Sequence, residues 1–280
     1  MSGLKVTANV KINLSLSVKG RRQDGYHDLD TVMQSVSLYD VLYIKKSVGI
    51  SVECLNFGGK DNIAFKAAEL FFKESGISGG AEIKIEKRAP SAAGLGGGSA
   101  DAAAVLAGLD RLYDTDFSYE RLCCMAKRLG ADVPFLIQGG TQRAEGIGEV
   151  LTPLKNISGC YFLIAKAERK TSTAEMFRKL DSVSYPKPDI DKMVSAINGG
   201  DYYKMTASLG NSFSVIWEDS PLKSLLSETG ADGISLSGSG PARFAVYKDK
   251  ETAQAAENTL KKRNIECYLC APCEKSLIIE

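Results

Sequence analysis

From Leu4 to Val18 every even position is apolar (Leu4, Val6, Ala8, Val10, Ile12, Leu14, Leu16, Val18), and the odd positions between them are polar or charged. A repeat of two predicts a strand, or a strand pair, with one face buried. Asn9, Lys11 and Asn13 then leave the opposite face together, either into a cleft or toward solvent. The following GRRQDGYHDLDTVMQSVSLYDVLYIKK begins Gly-rich and charged and ends apolar, which predicts a loop and then a strand. Tyr26 and His27 fall in that loop. An aromatic beside an imidazole there suits either plain surface or the stacking and hydrogen bonding of a base.

The period then changes. DNIAFKAAELFFKESG has helical apolar spacing, with Asp61 or Asn62 as N-cap and Gly76 as the stop, and AEIKIEK alternates again as a short strand. Next come Arg88-Ala89-Pro90, a run holding Gly94, Gly96, Gly97 and Gly98, and an alanine-rich helix expected to begin near Ser99. Strand, glycine loop and helix start are the parts of a phosphate site. Free N–H groups and the helix dipole both favour an anion there, and glycine lets the backbone approach its oxygens. No Lys follows the glycines, so this is not the nucleotide-triphosphatase loop, and Ser99 stands where the dinucleotide fingerprint needs its third glycine. A flexible turn is the other reading, yet so many glycines before a well-formed helix would waste conformational entropy in a mere turn.

Downstream, FSYERLCCMAKRLG reads as a helix ending near Gly130, and Asp132-Val133-Pro134 opens a second, short one. Asp132 is therefore either a cap or a carboxylate that the dipole helps keep ionised. TQRAEGIGEVLTPL predicts a strand with a turn, and the Gly- and Pro-containing stretch to Gly159 marks a boundary between residues 1–155 and 156–280. Beyond it CYFLIAKAE reads as a buried strand, with several helices following to about Gly230. GISLSGSGPARFAVYKD predicts two strands around a small-residue turn, which is either a second anion contact or a hairpin. The helix ETAQAAENTLKKR and the strand IECYLCA close the chain. Interleaved strands and helices predict an α+β sandwich in this half.

Composition narrows the function. The 280 residues suit about two domains. With 35 basic against 34 acidic side chains, nothing suggests a nucleic-acid-coating surface or a membrane-surface binder, though a small anionic ligand fits. No uncharged stretch approaches the ~18 residues of a membrane span and MSGLKVTANV lacks a signal-like apolar core, so the cytosol is expected. Seven scattered cysteines argue against a disulfide framework. Cys267, Cys270 and Cys273 have iron-sulfur-like spacing without a fourth ligand, and read as small apolar side chains in or beside a late strand.

Three blocks in order, ANVKINLSLSV, APSAAGLGGGSADAA and SLSGSGPARFAVY, resemble the three motifs of the galactokinase, homoserine kinase, mevalonate kinase and phosphomevalonate kinase (GHMP kinase) superfamily. Within it, GRRQDGYHDLDTVMQSVSLYD and LGADVPFLIQGGTQRAEGIGEVLTPL are similar to the branch acting on cytidine-diphosphate-linked methylerythritol in non-mevalonate isoprenoid synthesis. The resemblance implies a two-domain α+β kinase, with the active-site cleft between an N-terminal nucleotide-binding domain and a C-terminal α/β sandwich. It also implies ATP-dependent phosphorylation of the substrate's 2-hydroxyl. Lys11 and Asp132 match the catalytic pair, with Asp132 as base, and Asn13 would position the acceptor. Pro90, Ser91, Ala92, Ala93, Gly94, Leu95, Gly96, Gly97, Gly98 and Ser99 would hold the triphosphate, with Asn62 near the adenine. Tyr26 would stack on cytosine, His27 would bond its edge, Phe177 resembles the opposing aromatic and Thr173 a polar neighbour. Magnesium is expected from the chemistry, with Ser99 and water as ligands. Arg243, after the GSGP turn, and NSFSVIW near Asn211 depart from the family pattern. The rival readings are another acceptor within the superfamily, such as mevalonate or homoserine, and a non-catalytic nucleotide sensor on the same fold.

Overall fold

A computed structural model describes residues 3–55, 57–167 and 172–280. The first half runs β1 (Leu4–Arg21), β2 (His27–Ser47), β3 (Ser51–Cys54), α1 (Ile63–Ser75), β4 (Gly80–Glu86), α2 (Gly97–Tyr113), α3 (Tyr119–Leu129), α4 (Val133–Gln138), β5 (Thr141–Gly146) and β6 (Val150–Pro153). The second runs β7 (Tyr161–Lys166), α5 (Thr173–Leu180), α6 (Ile190–Gly199), α7 (Tyr202–Ala207), β8 (Gly210–Asn211), a 3-10 turn (Ser212–Trp217) and α8 (Pro221–Ser227). It ends with β9 (Gly233–Leu236), β10 (Arg243–Tyr247), α9 (Lys250–Lys262), β11 (Glu266–Cys270) and β12 (Leu277–Ile279).

One sheet has the order β12-β1-β2-β4-β3, with β5 added beside β2, β6 beside β5 and β8 beside β1; the other is β11-β7-β10-β9. The first sheet thus draws strands from both ends of the chain. None of the helices among the described residues is long and apolar enough to cross a membrane.

The long alternating segment is a single strand, but it is not half-buried. Its odd residues Asn9, Lys11, Asn13, Ser15 and Ser17 are as buried as its even ones, because later parts of the chain cover their face. Asn9 Nδ2 donates to the Lys275 carbonyl and Gly238 N to Asn13 Oδ1. Pairing with β2 shifts register between Asn9 and Lys11 and again between Asn13 and Ser15. Such bulges re-aim side chains without changing the sequence alternation. Val6 and Ala8 accordingly pack with α1, α2 and α4, whereas Val10, Ile12 and Leu14 pack with Phe162, Phe244 and α6 between the sheets.

Helix α2 forms because its interior is alanine and leucine, strong helix formers, and it starts two residues before the expected Ser99. Gly108 brings it close to β1 and β2, since a Cβ there would lie 2.7 Å from Ile44 Cδ1 and 3.3 Å from Val6 Cγ2. Asn62 caps α1 by accepting from Ala64 N (2.8 Å). All seven cysteines are unpaired, and Cys267 and Cys270 are buried in β11.

Candidate active site

The glycine run joins β4 to α2 as a partly buried loop whose backbone is used asymmetrically. Its carbonyls are engaged: Ala93 O accepts from Ala242 N, Gly94 O from Ser237 Oγ, Leu95 O from Lys11 N and Gly96 O from Ala100 N. Among the described residues, no N–H from Ser91 to Ser99 donates to a protein group. A row of unsatisfied donors at the N-terminus of a 17-residue helix is an anion site by construction. Gly96 sits at φ 72°, the left-handed region that favours glycine, and a Cβ on Gly94 would fall 2.2 Å from Ser237 O. Two of the glycines thus serve the fold as well as any ligand. The turn at Ser237 and Gly238 packs directly on the loop, so it is more than a hairpin.

Bulging turns Lys11 beneath this loop. Its Nζ donates to Asn13 Oδ1 (2.7 Å) and pairs with Asp132 Oδ2 at 3.4 Å. Lys11 is 3% exposed while the Asp132 side chain is 36% exposed, so the pair has a buried cation and an open carboxylate. Asp132 occupies the N-cap position of α4 but makes no capping hydrogen bond, which rules out capping as its job. Asn13 is held at both ends of its amide: Nδ2 donates to Thr31 Oγ1 (2.9 Å), and Oδ1 accepts from Lys11 and Gly238 N.

A second charged group lies under the loop. Lys87 bridges the buried carboxylates of Asp40 and Asp101, the latter at 2.8 Å, while Asp40 Oδ1 accepts from Arg88 N and Ala89 N. Burial pushes Asp101 up to about 7 against the pull of Lys87, with the neighbouring Asp40 adding to the rise. Burial alone would lower Lys87, but the two carboxylates outweigh it and hold its ammonium above the ordinary value. Lys87 stands before the glycines rather than after them, and its one signal in the sequence is the Lys87-Arg88 pair just past the end of β4.

At the other end of the cleft Tyr26 and His27 part company. Tyr26 is 60% exposed in the turn, whereas His27 opens β2, is buried, and pairs with Arg21. The expected loop pair is therefore a turn residue and a strand residue facing different surroundings. Phe177 stacks on His27 itself (4.5 Å, 20°) and meets Phe213 edge-on. His27 Nε2 lies 2.7 Å from Asp181 Oδ1. Ser239 Oγ donates to Thr173 Oγ1 at 3.4 Å. Asn62, besides capping α1, donates from Nδ2 to Phe57 O. Arg243 is buried in β10, donating to the Trp217 carbonyl.

One cleft of about 1360 Å³ is lined by every one of these expected site residues: Lys11, Asn13, Tyr26, His27, Asn62, the loop from Pro90 to Ser99, Asp132, Thr173 and Phe177. Pro90, Ala93 and Leu95 contribute little surface, being buried beneath the loop. The volume exceeds what a single small ligand usually fills, which suits two nucleotide-sized molecules end to end. Arg21, Lys87, Lys127, Arg128 and Arg178 also line it, giving the cleft cations that suit phosphates.

A glycine loop over a helix start, a Lys-Asp pair below it and a cleft floored by the first sheet and closed by the Gly238-Ser239 turn define a kinase of the GHMP class. The models for the GHMP kinases N terminal domain and the GHMP kinases C terminal match residues 62–140 and 218–266. Within that class, the chain belongs to the 4-diphosphocytidyl-2-C-methyl-D-erythritol kinase family. It is 40% identical over 271 residues to the enzyme of that name from Alkaliphilus metalliredigens, covering 93% of each chain. It is 39% identical over 284 residues to that of Acetivibrio thermocellus, covering 96% of this chain and 99% of the relative. A crystal structure of 4-(cytidine 5'-diphospho)-2C-methyl-D-erythritol kinase superposes with a TM-score of 0.79 at 31% identity, covering 96% of this chain and 98% of that one.

Proposed function

We propose that this protein transfers the γ-phosphoryl group of ATP to the 2-hydroxyl of 4-diphosphocytidyl-2-C-methyl-D-erythritol, a cytosolic step of non-mevalonate isoprenoid synthesis. The observation that carries the reading is the Lys11-Asp132 pair lying in the same cleft as the free N–H row of the glycine loop and the Tyr26-His27 pocket. The loop from Pro90 to Ser99 grips the triphosphate, and Asn62 borders the adenine. Asp132, open to the cleft and free of capping duty, accepts the hydroxyl proton. Lys11 keeps that carboxylate oriented and offsets charge developing on the transferred group. Asn13 fixes Lys11. Tyr26 covers one face of the cytosine, His27 meets its edge, and Phe177 backs the His27 ring, with Thr173 beside them. Residues 1–155 supply the nucleotide loop, the Lys11-Asp132 pair and the Tyr26-His27 side of the base pocket, and residues 156–280 add Thr173 and Phe177.

Magnesium fits this site in one way. No group of three His, Cys, Asp or Glu among the described residues is arranged to hold a metal, while the Ser99 hydroxyl lines the cleft in the first turn of α2. A hard cation held mainly by phosphate oxygens and water, with Ser99 as the protein ligand, needs nothing more. When bound it neutralises charge on the β- and γ-phosphates.

The test is to incubate the protein with magnesium-ATP and 4-diphosphocytidyl-2-C-methyl-D-erythritol, with mevalonate and homoserine as parallel acceptors, and follow transfer by phosphorus NMR. A new phosphomonoester on the cytidine substrate alone is expected. Asp132→Asn is expected to lower turnover by roughly two orders of magnitude or more with little change in KM. Tight binding of ATP and substrate with no turnover would overturn the enzyme reading.

A further inference from the structure

Asp181 follows α5 directly as its C-cap residue, four positions after Phe177, so the two share a helix face. Both act on the same partner. Phe177 stacks against the His27 ring, and Asp181 Oδ1 sits 2.7 Å from His27 Nε2 while its Oδ2 lies 4.0 Å from Arg21 Nη1. The other ring nitrogen, Nδ1, makes no hydrogen bond among the described residues, and His27 lines the cleft.

A carboxylate only accepts, so this contact keeps the imidazole proton on Nε2. A neutral ring carries one proton, which leaves Nδ1 as a bare lone pair. A lone pair attracts the exocyclic amine of cytosine and repels the carbonyl oxygen that uracil presents at the same position. We infer that Asp181 is a specificity-determining positioning residue: by fixing the tautomer of His27 it makes the base pocket select cytosine over uracil. This rests on the proposed placement of the base edge against His27. Asp181 borders the cleft too, but its Oδ1 is spent on His27 and it acts through that ring. Stacking by Phe177 holds the ring plane, and Asp181 sets which nitrogen is bare. A site built around one hydrogen-bond polarity rejects the opposite polarity far more strongly than it rejects a change of shape, because a buried polar atom is left facing a like partner.

The chain has one histidine, so a long-range proton-nitrogen spectrum of the ¹⁵N-labelled protein reads the tautomer without assignment. The wild type is expected to show the Nε2–H pattern, to bind CDP at least about tenfold more tightly than UDP by calorimetry, and to shift its Nδ1 resonance when CDP is added. Asp181→Ala is expected to show mixed tautomers and lose most of the CDP preference. Asp181→Asn, whose amide satisfies either tautomer, is expected to lose it as well and serves if the alanine variant does not fold. An Nδ1–H or doubly protonated ring in the wild type overturns the inference, as does undiminished CDP preference in the variants. If CDP leaves the His27 resonances unmoved, the base-binding reading fails instead.

Discussion

Lys11 is a cation kept almost wholly out of water, with its ammonium shared between the Asn13 carboxamide and the Asp132 carboxylate. Burying such a charge is costly, and removing one member of a pair destabilises the fold mainly when the other charge is stranded in the interior, whereas the Asp132 carboxylate left behind here is 36% exposed and stays hydrated. Lys11→Met, which keeps length and volume, is therefore expected to leave the melting temperature within a few degrees of the wild type while turnover falls about a hundredfold or more. Thermal unfolding beside steady-state kinetics separates the two effects; equal losses in both would make Lys11 a structural residue. Alternation in the sequence put Lys11 and Asn13 on one face, and they do meet. What it left illegible was the bulge after Asn9, since a register shift against β2 leaves no trace in the period of β1. Tyr26 and His27 show the same limit, because adjacent letters lie on either side of a strand boundary fixed by pairing with Arg21.

Among the elements, α2 is the one whose start decides the chemistry. That a glycine loop joins a strand to this helix start was legible from the order of residues along the chain. The carboxylates beneath it were not, because Asp40 is brought there by β2 from far along the chain. Asp101 lies in the first turns of α2, and burial raises its carboxyl from 3.8 to about 7. Between those values the native state keeps a proton that the unfolded chain has lost, so stability falls as pH rises through that window and levels off above it. Urea midpoints at about pH 5 and about pH 8 are expected to differ more for the wild type than for Asp101→Asn, which cannot titrate. An identical pH dependence in both proteins would place the titrating group elsewhere.

For the whole molecule, the alternation of strands and helices made the α+β class readable, but not the way the chain closes. Strands of two and three residues such as β8 and β12 have no period to detect, and only tertiary contact sets their pairing. β12 lies along Val6–Ala8 at the edge of the first sheet. Expressed alone, residues 1–155 would leave that edge bare and the odd face of β1 uncovered, and are expected to aggregate or to unfold without a cooperative transition. Circular dichroism melts and size-exclusion chromatography check this, and a monomeric fragment with a sharp transition would show the halves to be independent. Asymmetry in the glycine loop bears on the same question. Its carbonyls are rivets to the second half, at Ala242 and Ser237, while its N–H groups are left for a ligand. One short strip of backbone thus fastens the two halves through its carbonyls and turns its donors to the cleft, so the seam and the cleft wall are built from neighbouring atoms.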